Sequence, residues 1–181
     1  MEQITGRQPA NEEKIMVLKL LEQQRNAMLM FTSCGWFFDD IAGIETVQIL
    51  QYASRAIQLD KEISARDLET QFESILENAP CNAKEYENGK KVYQMLVKNS
   101  SIDLNRVGAH LAASLIFEEF DERKEIYCYS TKVDFFERIE MGIQVLAVGR
   151  ATIQSNIVLE KHLIDFAVLH FGDHNLICSV Y

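Results

Sequence analysis

The chain has 181 residues, 48% of them apolar and 25% charged, with a formal net charge of −9. That size and balance fit one globular domain or two small ones, and the negative surface argues against nucleic acid or an anionic membrane as a partner. Only 2 prolines and 8 glycines occur, which leaves no low-complexity linker.

No apolar run approaches the roughly 18 residues that a membrane span needs. The start, Met1-Glu2-Gln3-Ile4, lacks the basic and apolar regions of a secretory signal. A cytoplasmic chain is therefore expected. The cysteines at 34, 81, 128 and 178 form no C-x-x-C pair, so reduced thiols and no metal or other cofactor are expected.

The first ten residues are polar. Asn11 can then cap a helix, and Ile15, Leu18, Leu21, Met28 and Leu29 continue it at helical spacing to about Phe31. Gly35, Asp39 and Asp40 interrupt the pattern. A second helix is expected from about Ile44 to Leu59, with Val47, Leu50, Ala53 and Ile57 on its inner face. Ser64 to Asp67 has the spacing of a capping box and opens a third helix through Leu68, Phe72, Ile75 and Leu76, which ends before Pro80. Residues 78–89 read as a loop. A fourth helix runs from about Gly89 to Lys98. A fifth follows the Ser100/Asp103 spacing and runs through Leu104, Val107, Leu111 and Leu115 to about Phe117.

Beyond Phe120 the period changes. Glu125 to Ser130 is rich in strand formers, Ile143 to Ile153 reads as a strand, and His162 to Phe171 is another apolar run. Gly172-Asp173-His174-Asn175 then forms a turn before Leu176 to Tyr181, which predicts a hairpin. Helices first and strands second predict an α+β fold: a bundle of about five helices over residues 11–118 and an antiparallel β region over 119–181. The chain ends within a strand, so it reads as a fragment of a longer polypeptide, with a native terminal strand as the other reading.

No G-x-G-x-x-G, P-loop, G-x-S-x-G or H-E-x-x-H pattern occurs. The segment of most unusual composition is Met28 to Asp40, which holds the only Trp, a cluster of Phe and two adjacent carboxylates. Aromatic faces suit the C–H faces of sugars and Asp accepts hydroxyls, so Trp36, Phe38, Asp39 and Asp40 are candidate carbohydrate-binding residues. The other reading is a helix–helix corner with aromatics in the core and aspartates capping the next helix. A second candidate cluster is His170, Asp173 and His174, which could ligate a metal or act as acid and base. In the hairpin reading they make the turn. Arg150 sits in an apolar stretch and needs a partner if buried, with Glu137, Glu140 and Asp165 available.

Gln23 to Asp40, with Gly43-Ile44-Glu45 and Gln51-Tyr52-Ala53, resembles an uncharacterised bacterial domain that follows the catalytic barrel in α-amylase/α-mannosidase-like proteins of glycoside hydrolase family 57. Leu146 to Arg150 and Phe166 to Leu176 look like the strand region of the same domain, so the resemblance runs from about residue 14 to residue 177. Family 57 barrels carry a Glu nucleophile and an Asp acid/base, and this chain includes no barrel. Ser33-Cys34-Gly35-Trp36-Phe37-Phe38 looks like the Ser-x-x-Trp-x-Phe motif of the helical region that packs on that barrel. The resemblance implies a non-catalytic accessory domain of a hydrolase or glucan transferase. Its partners would be the barrel of the same polypeptide and an oligosaccharide, with Trp36 walling the sugar. The alternative is a structural or oligomerisation module without a ligand, self-associating through an exposed apolar face.

Overall fold

The computed structural model describes residues 6–35 and 37–181. Its elements follow the α+β order, helices first and one antiparallel sheet second. The chain divides into two compact units, 1–101 and 102–181.

The first unit holds α1 (Asn11–Leu29), α2 (Ile44–Ser64), α3 (Glu69–Leu76) and α4 (Gly89–Val92). Helix α4 widens into a π segment at Tyr93–Val97 and tightens into a 3-10 turn at Lys98–Ser100. In α1, Glu12 and Glu13 occupy the first turn, where carboxylates suit the helix dipole. The Glu13 carboxylate accepts the Ala10 N–H at 2.9 Å and the Arg7 guanidinium at 2.6 Å, which lowers the Glu13 pKa to about 2, chiefly through the Arg7 hydrogen bond.

Helix α2 runs past the expected end at Leu59. Ser64 stays helical by donating to the Asp60 carbonyl at 2.9 Å, and Ala65 ends the helix in the left-handed region at φ 57°. Ser64 is thus spent on α2, and the expected capping box does not form. Asp67 performs the cap for α3, accepting the Thr70 hydroxyl at 2.8 Å and the Thr70 N–H at 3.3 Å.

The core of this unit gathers Leu50, Leu76, Val92, Tyr93 and Val97, with Phe72, Val47 and Ile41 packed around them. Tyr93 is fully buried, and its hydroxyl lies 3.2 Å from both Ser54 Oγ and Glu69 Oε1. Burial, the main cause, raises the phenol pKa to about 12.

The second unit holds α5 (Leu104–Phe117) and the strands β1 (Arg123–Ile126), β2 (Tyr129–Met141), β3 (Gln144–Ser155), β4 (Lys161–Gly172) and β5 (Asn175–Val180). The strands form an antiparallel meander in chain order. Asp103 caps α5 by accepting the Arg106 N–H at 2.8 Å. Val107, Leu111, Ala112, Leu115 and Ile116 then press on Ala147, Ala151, Ile153, Ile164, Phe166 and Val168. Gly108 lets the helix approach closely: a Cβ there would stand 2.5 Å from Ile164 Cδ1.

Two expectations are corrected by this unit. The fifth helix packs on the sheet, so packing divides the chain after Ser101 and not after residue 118. Its long apolar face matches the core face of the strands, which outweighs its proximity in sequence to the other helices. Residues 125–130, expected as one strand, hold the tight turn between β1 and β2. Tyr127 adopts φ 53° there, and the Asn156 N–H donates to the Cys128 carbonyl at 2.8 Å. Strand propensity yields to that anchoring.

Candidate functional site

The corner between α1 and α2 is built from short polar links. The Thr32 hydroxyl donates to the Leu29 carbonyl at 2.9 Å, and Ser33–Gly35 make a 3-10 turn. The Thr46 hydroxyl of α2 donates to the Gly35 carbonyl at 2.8 Å. Gly35 is buried, and a Cβ there would stand 1.7 Å from Ile49 Cγ1, so only glycine fits this approach.

Asp40 serves the corner itself. Its Oδ1 accepts the Ala42 N–H at 3.0 Å and the Cys81 thiol at 3.5 Å. Burial first, and then this carboxylate, push the Cys81 thiol pKa up. Asp39 differs: its side chain is exposed, while its carbonyl accepts from the Asn82 amide at 3.4 Å. Phe37 and Phe38 are 73% and 55% exposed and meet edge to face at 5.5 Å. Trp36 lies outside the described residues. Within the described corner, then, Phe38 and Asp39 face outward together and Asp40 is occupied as a turn-former.

The second candidate cluster belongs to the β4–β5 hairpin. Gly172 and Asp173 take φ values of 106° and 49° and reverse the chain. The His170 ring points back to the Asp173 carbonyl, with Nε2 at 3.1 Å, and lies against Phe117 at 5.1 Å between ring centroids. His174 is exposed. Among the described residues no group of three or more His, Cys, Asp or Glu is placed to hold a metal ion. Arg150 takes Asp165 as its partner, with two hydrogen bonds at 2.6 and 2.9 Å on the exposed face of the sheet. Arg25 pairs locally with Glu22 at 3.2 Å.

Sequence reading missed a larger feature. Helix α1 buries Lys19 and Asn26, whereas Met16, Val17, Leu20, Leu21 and Met28 are exposed, continued by Phe31 at 75%. Its inner seam is polar. Lys19 Nζ pairs with Glu62 at 3.0 Å, Gln23 donates to Asp60 at 3.1 Å, and Asn26 donates to the Glu22 carbonyl at 2.8 Å. Asp60, itself buried, is held below the ordinary carboxylate range first by the Arg66 hydrogen bond. The signal was present: 16/17, 20/21, 24 and 28 mark a second face beside 15, 18/19, 22 and 26. A further cavity of about 490 Å³ opens at the end of α5, lined by Ser114, Leu115, Glu119, Phe120 and Asp121. Glu118, Glu119 and Asp121 thus form an acidic rim to it.

A helical unit with an outward apolar helix, next in the chain to a helix-backed meander, defines the class of module. The chain belongs to the family described as Domain of unknown function (DUF3536), whose model matches residues 1–181. No curated protein and no solved structure matches it. No helix among the described residues is long and apolar enough to cross a membrane.

Proposed function

We propose that the chain is a non-catalytic accessory module that docks through α1 and the α1–α2 corner onto a larger body. From the resemblance of Gln23–Asp40, that body is the catalytic barrel of a family 57-like glycoside hydrolase or glucan transferase. The observation that carries the reading is the orientation of α1. Exposed, contiguous apolar surface of this kind marks interaction sites, and a helix laid into an apolar groove is read through residues spaced like 17, 21, 28 and 31. The exposed Phe37 and Phe38 extend the same surface, and Asp39 beside them can accept sugar hydroxyls. Completion of the parent's carbohydrate cleft by this corner, with Trp36 as a wall, belongs to the same proposal, as does a cytoplasmic setting.

The test is co-purification of the chain with the barrel of its own parent protein. The wild-type chain is expected to be retained, and Leu21→Lys with Met28→Lys to be lost while circular dichroism is unchanged. Retention of the double variant at wild-type level would overturn the reading. A second reading, a structural or oligomerisation module, is favoured by the open sheet face. There Ile139, Leu146, Leu169 and Ile177 align in one cross-strand row.

A further inference from the structure

The two edges of the sheet are made differently. On the β1 side, Arg123, Lys124 and Glu125 fill a four-residue strand, and beyond it β2 carries Glu137, Arg138 and Glu140 after an irregularity between Val133 and Phe135. Short length, charges and a bulge are the devices that keep an edge from pairing. The β5 side has none of these between Leu176 and Tyr181: the run Leu-Ile-Cys-Ser-Val-Tyr holds no charge and no proline. Its register against β4 is unbroken from Leu176 to Val180.

The hydrogen bonds fix which groups face outward. Asp165 and Tyr181 exchange both main-chain bonds, at 3.0 and 2.9 Å. Alternation along an antiparallel pair then turns Ile177 and Ser179 toward β4, and the N–H and C=O of Leu176, Cys178 and Val180 toward the free side. Among the described residues no strand lies beyond β5.

We propose that β5 pairs antiparallel with the β5 of a second copy of this chain, about a two-fold axis at Cys178. That register sets 178 opposite 178 and 176 opposite 180. It uses every outward group in about six inter-copy hydrogen bonds. Ile177 then lies beside the partner's Ser179, and the apolar row of the open face continues from one sheet into the next. The occupant is a second copy because the edge is complementary to itself in polarity, register and lack of charge. Two chains of net charge −9 repel least where neither carries a charge. This inference uses the second unit alone and goes beyond barrel docking, so either can fail without the other.

The experiment is sedimentation equilibrium with amide hydrogen exchange on the 181-residue chain. A dimer is expected, and Ile177→Lys, exposed on the open face, should convert it to a monomer with unchanged circular dichroism. An equimolar mixture of Ile177→Lys and Ile177→Glu should restore dimers, because the two side chains would be diagonal neighbours about 7 Å apart. Amides of Leu176, Cys178 and Val180 should exchange slowly in the dimer and fast in the monomer, while Ser179 and Tyr181 stay slow in both. Ser179→Lys serves as the second disrupting variant should Ile177→Lys fail to fold. A monomeric wild type, a dimer indifferent to both lysines, or outward amides that stay slow in a monomer, which means another segment of the chain covers the edge, would each overturn the proposal.

Discussion

The two units differ in what their helices bury. In the second, one helix and one face of a five-stranded sheet close over fourteen apolar residues that are nearly all inaccessible. In the first, a smaller cluster of Leu50, Leu76, Val92, Tyr93 and Val97 forms the core, and α1 turns Lys19 and Asn26 inward while Leu20 and Leu21 face out. Buried polar groups need partners, and the α1–α2 seam supplies them at the cost of apolar burial. The difference separates a unit whose stability comes from its own core from one that leaves apolar residues of a long helix exposed.

The comparison is tested most severely in the sheet unit. Leu111 is fully buried between α5 and the strands. Leu111→Ala should destabilise that unit by about 2–5 kcal/mol through lost transfer energy and a residual cavity. Denaturant unfolding followed by fluorescence or circular dichroism would measure it. A loss below about 1 kcal/mol would mean that the helix does not seal the sheet.

Next in size is a pH effect confined to the helical unit. The Tyr93 phenol titrates at 10.0 in an ordinary setting and at about 12 here, because burial disfavours its anion. The raised folded-state value means that the contribution is complete below pH 10. It falls as pH rises toward about 12, where the unfolded chain ionises first. The first unit should therefore lose helical signal in that window before the sheet unit does, and Tyr93→Phe should remove most of the slope. A profile unchanged by Tyr93→Phe would place the alkaline transition elsewhere.

A smaller effect tests how the second unit begins. Asp103→Ala removes the acceptor of the Arg106 N–H and should cost about 0.5–2 kcal/mol. Since α5 belongs to the sheet unit, the loss should appear in the sheet's transition and leave that of residues 1–101 unmoved. Appearance in the helical transition would restore a division of the chain after residue 118.

What the sequence disclosed follows from which forces are local. Gly172-Asp173 as a hairpin turn was legible because left-handed turns depend on adjacent residues, whereas the Ser100/Asp103 spacing pointed to Ser100 as the cap and Asp103 takes that place. The exchange of Ser64 for Asp67 at the α2–α3 junction was not legible, since Ser64 can serve either helix and the choice rests on Asp60. Nor was the turn at Tyr127, whose anchors Asn156 and the Cys128 carbonyl meet only through the sheet. At the candidate site the exposed Phe38 and Asp39 could be named from composition. The capture of Asp40 by Ala42 and Cys81 required the fold. The inverted face of α1 was hidden because its apolar positions satisfy two helical stripes at once. Spacing identifies a stripe and not the side on which it is covered.

The smallest effect on stability is the one that sharpens the contrast most. Leu21 is 60% exposed on α1, so Leu21→Lys removes little buried apolar area. In the chain by itself the change should stay within about 0.5 kcal/mol, as for surface positions generally. The same substitution in the sheet core would bury an unpaired charge. If Leu21→Lys is silent in thermal unfolding of the chain yet abolishes its retention on the proposed barrel, the outer face of α1 is the docking surface. If it destabilises the chain itself by as much as Leu111→Ala, then α1 packs with its leucines inward, and the contrast between the two units fails.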